Sequence, residues 1–305
     1  EAIRTWVNDG LEGILIVDGC DYALHKRLKT EIENPRSKFS LITIGDDFEE
    51  ENDNIIIEPL QEEASIAISR EIIPDAPASI HRQIAKDTDG FPALVESFSE
   101  KYRENPSGNI SDLKDSVFKQ MIGESNYAND EVIKAARFLG AFDQLQIDAS
   151  NGESEAEMIL KELDYGLNTV SFRAALMKLG KRVVWRGGYA RLTPPPLAAK
   201  LAKQFYETVG VHKIGLFFGK IDILARAKAS MSSRLSNLGM FDEGKEIVQS
   251  LTGPDRPFGK AEVLLTDMGS RLFCSFVEVN PSACVSALKR ILKNIPEEVL
   301  RASYH

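Results

Sequence analysis

The residues with the clearest chemical potential lie near the start of the chain, in Ile14-Leu15-Ile16-Val17-Asp18-Gly19-Cys20-Asp21. A continuous apolar run bounded by glycine and aspartate is typical of a strand buried on both faces of a parallel sheet. Asp18 then stands at the carboxyl end of the strand, where open α/β sheets bind their ligands. Its carboxylate suits a Mg²⁺ ion that bridges nucleotide phosphates, and Asp21 could orient the attacking water. The alternative is a core strand that runs into an Asp-Gly turn.

The elements around this segment predict an α/β beginning. A helix is predicted over residues 22–33, because proline disfavours helix at the residue before it and Asn34-Pro35 follows. Residues 39–44 are the next predicted strand, and Ile55-Ile56-Ile57 is a third, shorter strand candidate. Strands that alternate with helices indicate an α/β architecture with a parallel sheet.

Length and composition narrow the class of protein. The chain has 305 residues, of which 43% are hydrophobic and 27% charged, with a net charge of −9. These values are typical of a globular chain and exclude collagen-like, disordered and membrane-spanning proteins. Three cysteines without a Cys-x-x-Cys pair favour a cytoplasmic protein without disulfides or structural zinc. Because residue 1 is Glu and no targeting segment follows, we expect the chain to be part of a longer protein.

From Pro59 onward the pattern becomes helical. Helices are predicted over residues 61–71, 79–87 and 93–102, and Gly90-Phe91-Pro92 separates the last two. This tripeptide has a plain structural interpretation, in which glycine ends one helix and proline starts the next. Residues 105–109 are dense in turn formers and predict a linker.

Residues 110–212 have the element order of a winged helix. Helices are predicted over residues 113–122 and 131–145, and Ser154-Glu155-Ala156-Glu157 predicts a capped start of a third. A helix over residues 169–179 follows, and then two strand-like runs joined by Gly187-Gly188 predict a β-hairpin. The remaining residues, 213–305, are predicted to be helical throughout.

Charge is distributed unevenly along the chain. Residues 1–65 carry a net charge of −10, whereas residues 165–213 carry +8. A basic winged helix predicts DNA binding as one function, through phosphates at the hairpin and base edges at the second helix. The basic face could equally pack against the acidic first domain. The basic residues concerned are Arg173, Lys178, Lys181, Arg182, Arg186 and Arg191.

The segment from Ile14 to Asp21 resembles the Walker B motif of STAND-class signalling ATPases, which are relatives of the AAA+ group, and is most similar to the NACHT version. Residues 56–60, followed by Glu62 and Glu63, resemble the family's lead-in to a helical lid. Gly90-Phe91-Pro92 resembles its G-x-P motif. The order of winged helix and helical array after the lid also resembles bacterial members of the class.

The resemblance implies a domain plan and a mechanism. It implies an α/β part of a P-loop NTPase core over residues 1–58, an all-α lid over 59–109, a winged helix over 110–212 and an α-helical sensor array over 213–305. In such a switch ATP or ADP binds with Mg²⁺; Asp18 would hold the metal, Asp21 would position water, and the Gly90, Phe91 and Pro92 backbone would contact adenine. The implied partners are the protein's own core and effector domains and other copies in an activated oligomer. The implied outputs are bacterial antiviral defence or regulation, with an unidentified trigger.

The sequence also departs from the family. Tyr22 stands where another acid is common, and the strand from Leu41 to Ile44 runs into Gly45-Asp46 without the arginine that senses the γ-phosphate. A Walker A loop, G-x-x-x-x-G-K-[ST], is not found; residues 215–221 have one residue too few between the glycines. We therefore expect a fragment without its Walker A region, one that does not bind ATP tightly by itself. The alternatives are a winged-helix DNA-binding regulator and a non-catalytic scaffold with an NTPase fold.

Overall fold

The computed structural model describes residues 2–18, 20, 22–45, 58–106, 110–149, 152–220, 224–239 and 241–294. The chain divides into two units, Glu1–Glu58 and Pro59–His305. The first is α/β and the second is mainly helical, so the predicted fold class, mainly α with a small α/β part at the start, is confirmed.

The first unit is a pair of parallel strands joined by a helical crossover connection. Its elements are α1 (Ala2–Asn8), β1 (Glu12–Asp18), α2 (Tyr22–Ile32) and β2 (Lys38–Ile44). The strands are parallel, with Glu12 opposite Lys38 and Asp18 opposite Ile44. The third strand candidate, residues 55–57, lies outside the described residues.

The prediction that β1 is buried on both faces is wrong for this chain. Ile14 and Ile16 are 65% and 62% exposed, and on the neighbouring strand Ile42 is 48% exposed. The two helices pack on the opposite face: the ring of Trp6 in α1 lies 6.3 Å from that of Phe39, and α2 contacts β2 as well. Since successive residues of a strand point to opposite faces, helices on one side cover only every second side chain.

The second unit begins with three helices, α3 (Glu62–Ile72), α4 (Ala78–Thr88) and α5 (Pro92–Glu104). Their bounds agree with the sequence prediction to within two residues. A buried polar chain runs between them: Ser99 Oγ donates to Ser69 Oγ at 3.2 Å, which lies 2.9 Å from His81 Nδ1. This arrangement satisfies three polar side chains that would otherwise be costly to bury.

The middle of the second unit combines helices with a small sheet. Its elements are α6 (Ile110–Ile122), α7 (Glu124–Tyr127), α8 (Asp130–Gly140), β3 (Leu145–Gln146), α9 (Glu155–Glu162), α10 (Thr169–Leu179), β4 (Val183–Arg186), β5 (Tyr189–Leu192) and α11 (Pro195–Val209). The sheet is antiparallel with the strand order β3-β5-β4. The predicted hairpin is confirmed, and its turn places Gly187 and Gly188 at φ 50° and 86°.

Two predictions about the helices of this part can be compared with the structure. Ser154 Oγ accepts a hydrogen bond from the Glu157 amide at 3.2 Å, which confirms the capped start of α9. The helix predicted over residues 131–145 ends instead at Gly140, and that prediction is wrong beyond this residue. Leu145 pairs with Ala190 of β5, and this sheet contact replaces the last helical turn.

The rest of the described chain is a set of packed helices, namely α12 (Val211–Gly219), α13 (Ala225–Asn237), α14 (Asp242–Thr252), α15 (Ala261–Leu264), α16 (Asp267–Val279) and α17 (Pro281–Asn294). Helix α12 packs on α14, α13 on α16, and α14 on α17. One apolar core runs through the second unit, from Ile73 to Ala287. None of the helices described is both long and apolar enough to cross a membrane.

Candidate functional site

Asp18 is the last residue of β1 and stands at the carboxyl edge of the parallel pair. Just beyond it, the Cys20 amide donates to the Ile44 carbonyl at 2.9 Å, so the two strands stay joined past their ends. Cys20 is 2% exposed, and α2 begins two residues later. The chain therefore passes from strand to helix directly after Asp18, as it does in α/β sheets that bind ligands at this edge. Asp21, the predicted water-positioning acid, lies outside the described residues.

The residue type at this edge fits a magnesium ion. Mg²⁺ usually takes one or two protein carboxylates and completes its shell with phosphate oxygens and water. No group of three or more His, Cys, Asp or Glu side chains among the described residues could by itself hold a metal ion.

The Gly90-Phe91-Pro92 tripeptide forms the turn between α4 and α5. Asp89 and Gly90 both have positive φ, 48° and 72°, which ends α4, and Pro92 is the first residue of α5. The Phe91 amide donates to the Thr88 carbonyl at 3.0 Å, and the carbonyl of the buried Gly90 accepts from the Leu60 amide at 2.8 Å. Both groups therefore already have partners within the protein.

The three residues of this turn lie in the second unit, whereas Asp18 lies in the first. Pro92 has no N–H group to donate. A nucleotide base that contacted the turn would therefore use the second lone pair of a carbonyl oxygen, the Gly90 amide or packing against the Phe91 ring. Phe91 is partly buried against the apolar core.

The six basic residues are spread over α10, the turn after it and the hairpin. Arg173 forms an ion pair with Asp148, and Arg182 Nε donates to the Met121 carbonyl at 3.0 Å. Burial lowers the pKa of Arg182. Lys178, Lys181 and Arg186 are exposed, and Arg191 is partly buried in β5. Arg173 and Arg182 are thus engaged in contacts within the protein.

The hairpin itself is held at two points by the rest of the second unit. The Gly188 carbonyl accepts hydrogen bonds from the amides of Ile147 at 2.8 Å and Asp148 at 3.0 Å. The Arg226 guanidinium lies 3.9 Å above the Tyr189 ring and donates to its hydroxyl at 2.7 Å. No local sequence pattern indicates the roles of Asp148, Tyr189 and Arg226, because each contacts a residue 25 or more positions away.

Comparisons with known proteins give similarity in structure alone. No protein-family model and no curated protein sequence matches the chain. A Walker-type ATPase of Pyrococcus abyssi is similar with a TM-score of 0.36 and 14% identity, covering 65% of each chain. A STAND protein with a tetratricopeptide repeat sensor from Pyrococcus horikoshii has a TM-score of 0.33 and 15% identity, covering 99% of this chain and 47% of its own. The chain thus spans less than two thirds of either structure.

Proposed function

We propose that the chain is the part of a STAND-type, NACHT-like signalling NTPase that follows its Walker A loop, and that it acts in a nucleotide-gated switch. The observation that carries the proposal is the parallel β1–α2–β2 unit with Asp18 at its carboxyl edge. A carboxylate at this position of a parallel sheet is what a Walker B strand requires. Residues 59–109, 110–212 and 213–305 are then the lid, the winged helix and the start of a sensor array.

In this proposal each candidate residue has a distinct task. Asp18 holds Mg²⁺, whose positive charge neutralises the phosphates of ATP or ADP. Asp21 positions water, and the backbone of residues 90–92 packs against adenine. A phosphate-binding loop is also required, and we propose that it lies in the sequence before residue 1.

We further propose that the winged helix packs against the protein's own nucleotide domain and holds the inactive state. The ion pair of Arg173 with Asp148 and the stacking of Arg226 on Tyr189 support this role over DNA binding only in that both side chains are already engaged within the second unit. Opening by a trigger and assembly into an oligomer, with antiviral defence as one output, complete the proposed mechanism.

The direct test of the domain plan is the coding sequence upstream of residue 1. We expect a strand followed by G-x-x-x-x-G-K-[ST] within roughly 60–100 residues, the usual distance for half of a doubly wound domain. A start codon immediately before Glu1 would contradict the proposal, because the protein would then have no phosphate-binding loop.

The second candidate function, DNA binding, is favoured by two exposed lysines, Lys178 in the last turn of α10 and Lys181 in the turn that follows. Binding through phosphates would weaken steeply as salt is raised, and Arg173→Ala would relax any sequence preference. The packing role predicts instead no binding to duplex DNA at 50 mM salt, a condition under which phosphate contacts are strong.

A further inference from the structure

The turn at Gly90 is in close contact with the first residues of the second unit. The Leu60 amide donates to the Gly90 carbonyl at 2.8 Å. A Cβ atom added at Gly90 would lie 2.3 Å from the Leu60 carbonyl oxygen, 2.7 Å from the Leu60 nitrogen and 2.9 Å from Pro59 Cβ. Backbone atoms cannot yield by such amounts without moving the segment, so only glycine allows Pro59 and Leu60 to lie where they do.

The contact joins residues that are distant in the sequence but occupy two special positions. Pro59 and Leu60 are the first residues after the boundary between the units, and α3 begins at Glu62. Gly90 lies thirty residues later, at the end of α4, and φ 72° adds a second reason for glycine. One turn thereby fixes the point at which the chain enters the helical unit.

We infer that the Gly90 turn holds residues 59 and 60 in place, a contact that we call the seat. We further infer that the seat couples the turn to the segment that leads from the first unit. The coupling rests on the proposed function, in which adenine packs on residues 90–92. Movement of the turn by a bound nucleotide would strain or release the Leu60–Gly90 hydrogen bond. Gly90 then also positions residues 59 and 60, in addition to the adenine contact proposed for its backbone.

Amide hydrogen exchange of the wild-type chain tests the seat without any nucleotide. We expect the Leu60 amide to exchange at least about tenfold more slowly than the amides of Glu62 and Glu63, which lie in the first turn of α3 and have no acceptor within the helix. Equal exchange of Leu60 and these two neighbours would overturn the proposal.

A pair of alanine variants tests the role of Gly90. Gly166 has nearly the same φ, 75°, but an added Cβ there meets no atom within 4 Å, so Gly166→Ala has the same backbone strain without the collision. We expect Gly90→Ala to accelerate Leu60 exchange by about tenfold, the effect of losing one hydrogen bond, and Gly166→Ala to leave it unchanged. Equal Leu60 protection in the two variants would overturn the proposal; if Gly90→Ala does not fold, the wild-type comparison decides.

Nucleotide addition to the full-length protein tests the coupling. With Mg·ADP shown to bind, the Leu60 amide is expected to change its exchange rate by threefold or more, and an unchanged rate would overturn the coupling. Absence of any nucleotide binding would instead contradict the proposed function, and Leu60 protection measured without nucleotide would still support the seat.

Discussion

At the scale of single residues, Phe138 of α8 is the centre of the packing around the hairpin of the second unit. It is fully buried, and its ring centroid lies 5.2–5.9 Å from those of Phe142, Tyr165, Phe172 and Phe205. Phe172 belongs to α10 and Phe205 to α11, so one side chain touches the helices on both sides of the hairpin. Interlocked rings of this kind tolerate little loss of volume.

Phe138→Ala is expected to lower the free energy of unfolding by about 3–5 kcal/mol, because it removes apolar contacts and leaves a cavity. Val170→Ala, at an 81% exposed position on α10, is the control and should change it by less than about 0.5 kcal/mol. Urea titration followed by circular dichroism measures both. Similar small changes in the two variants would show that the ring cluster does not hold these helices.

Tyr206 gives a pH-dependent prediction. Its side chain is fully buried, the hydroxyl donates to the Met231 carbonyl at 3.4 Å, and burial raises the pKa of the phenol. In the unfolded chain the phenol loses its proton near pH 10, whereas the folded protein retains it. The folded state thus binds more protons above that pH, and stability must fall as pH rises.

Tyrosinate absorbance should therefore show a late component that appears together with the loss of circular dichroism above about pH 10. Tyr206→Phe is the matched variant, and its stability should fall less steeply in this range. Ionisation of every tyrosine before any unfolding would contradict the burial of this hydroxyl.

At the scale of elements, local sequence patterns predicted the features that neighbouring residues determine. They failed where a contact with a residue distant in the sequence determines the secondary structure. Helix α10 has the predicted bounds, because the Asn168 side chain accepts from the Ser171 amide at 2.8 Å and Gly180 follows the last turn. The apolar spacing up to Leu145 looks helical, yet pairing with Ala190, 45 residues away, makes Leu145 part of a strand. The seat at Gly90 is also a contact with a distant residue. Glycine and proline at a helix junction have a sufficient local explanation, so the sequence did not indicate the contact between Gly90 and Leu60.

The hairpin gives the prediction that belongs to this scale. Arg226→Ala removes a cation–π contact and a hydrogen bond to Tyr189, and should cost about 1 kcal/mol of stability. It should also accelerate amide exchange in β4 and β5, which the Arg226 contact restrains. Lys178→Ala, an exposed cation on the neighbouring α10, is the control and should change neither quantity. Equal hairpin exchange in wild type and Arg226→Ala would show that this anchor does not restrain the hairpin.

At the scale of the whole molecule, hydrophobic periodicity was sufficient to predict an α/β beginning followed by a mainly helical chain. It could not predict the exposure of Ile14 and Ile16, because an apolar residue type does not reveal which face of the sheet its own helices cover. The metal binding proposed for the molecule depends on Asp18 at the carboxyl edge of that sheet. Its position follows from the parallel register, which places Asp18 opposite Ile44 at the carboxyl end.

The most direct test of the nucleotide switch is Mg²⁺-dependent ATP binding by the full-length protein with Asp18→Asn and, as control, Glu12→Gln at the opposite end of β1. Loss of a charged ligand costs about 1.5–3 kcal/mol, roughly a tenfold to hundredfold loss of affinity. The account predicts that Asp18→Asn loses this affinity in the presence of Mg²⁺ and that Glu12→Gln binds like wild type. Equal affinity for Mg·ATP in Asp18→Asn and wild type would contradict the assignment of β1 as a Walker B strand.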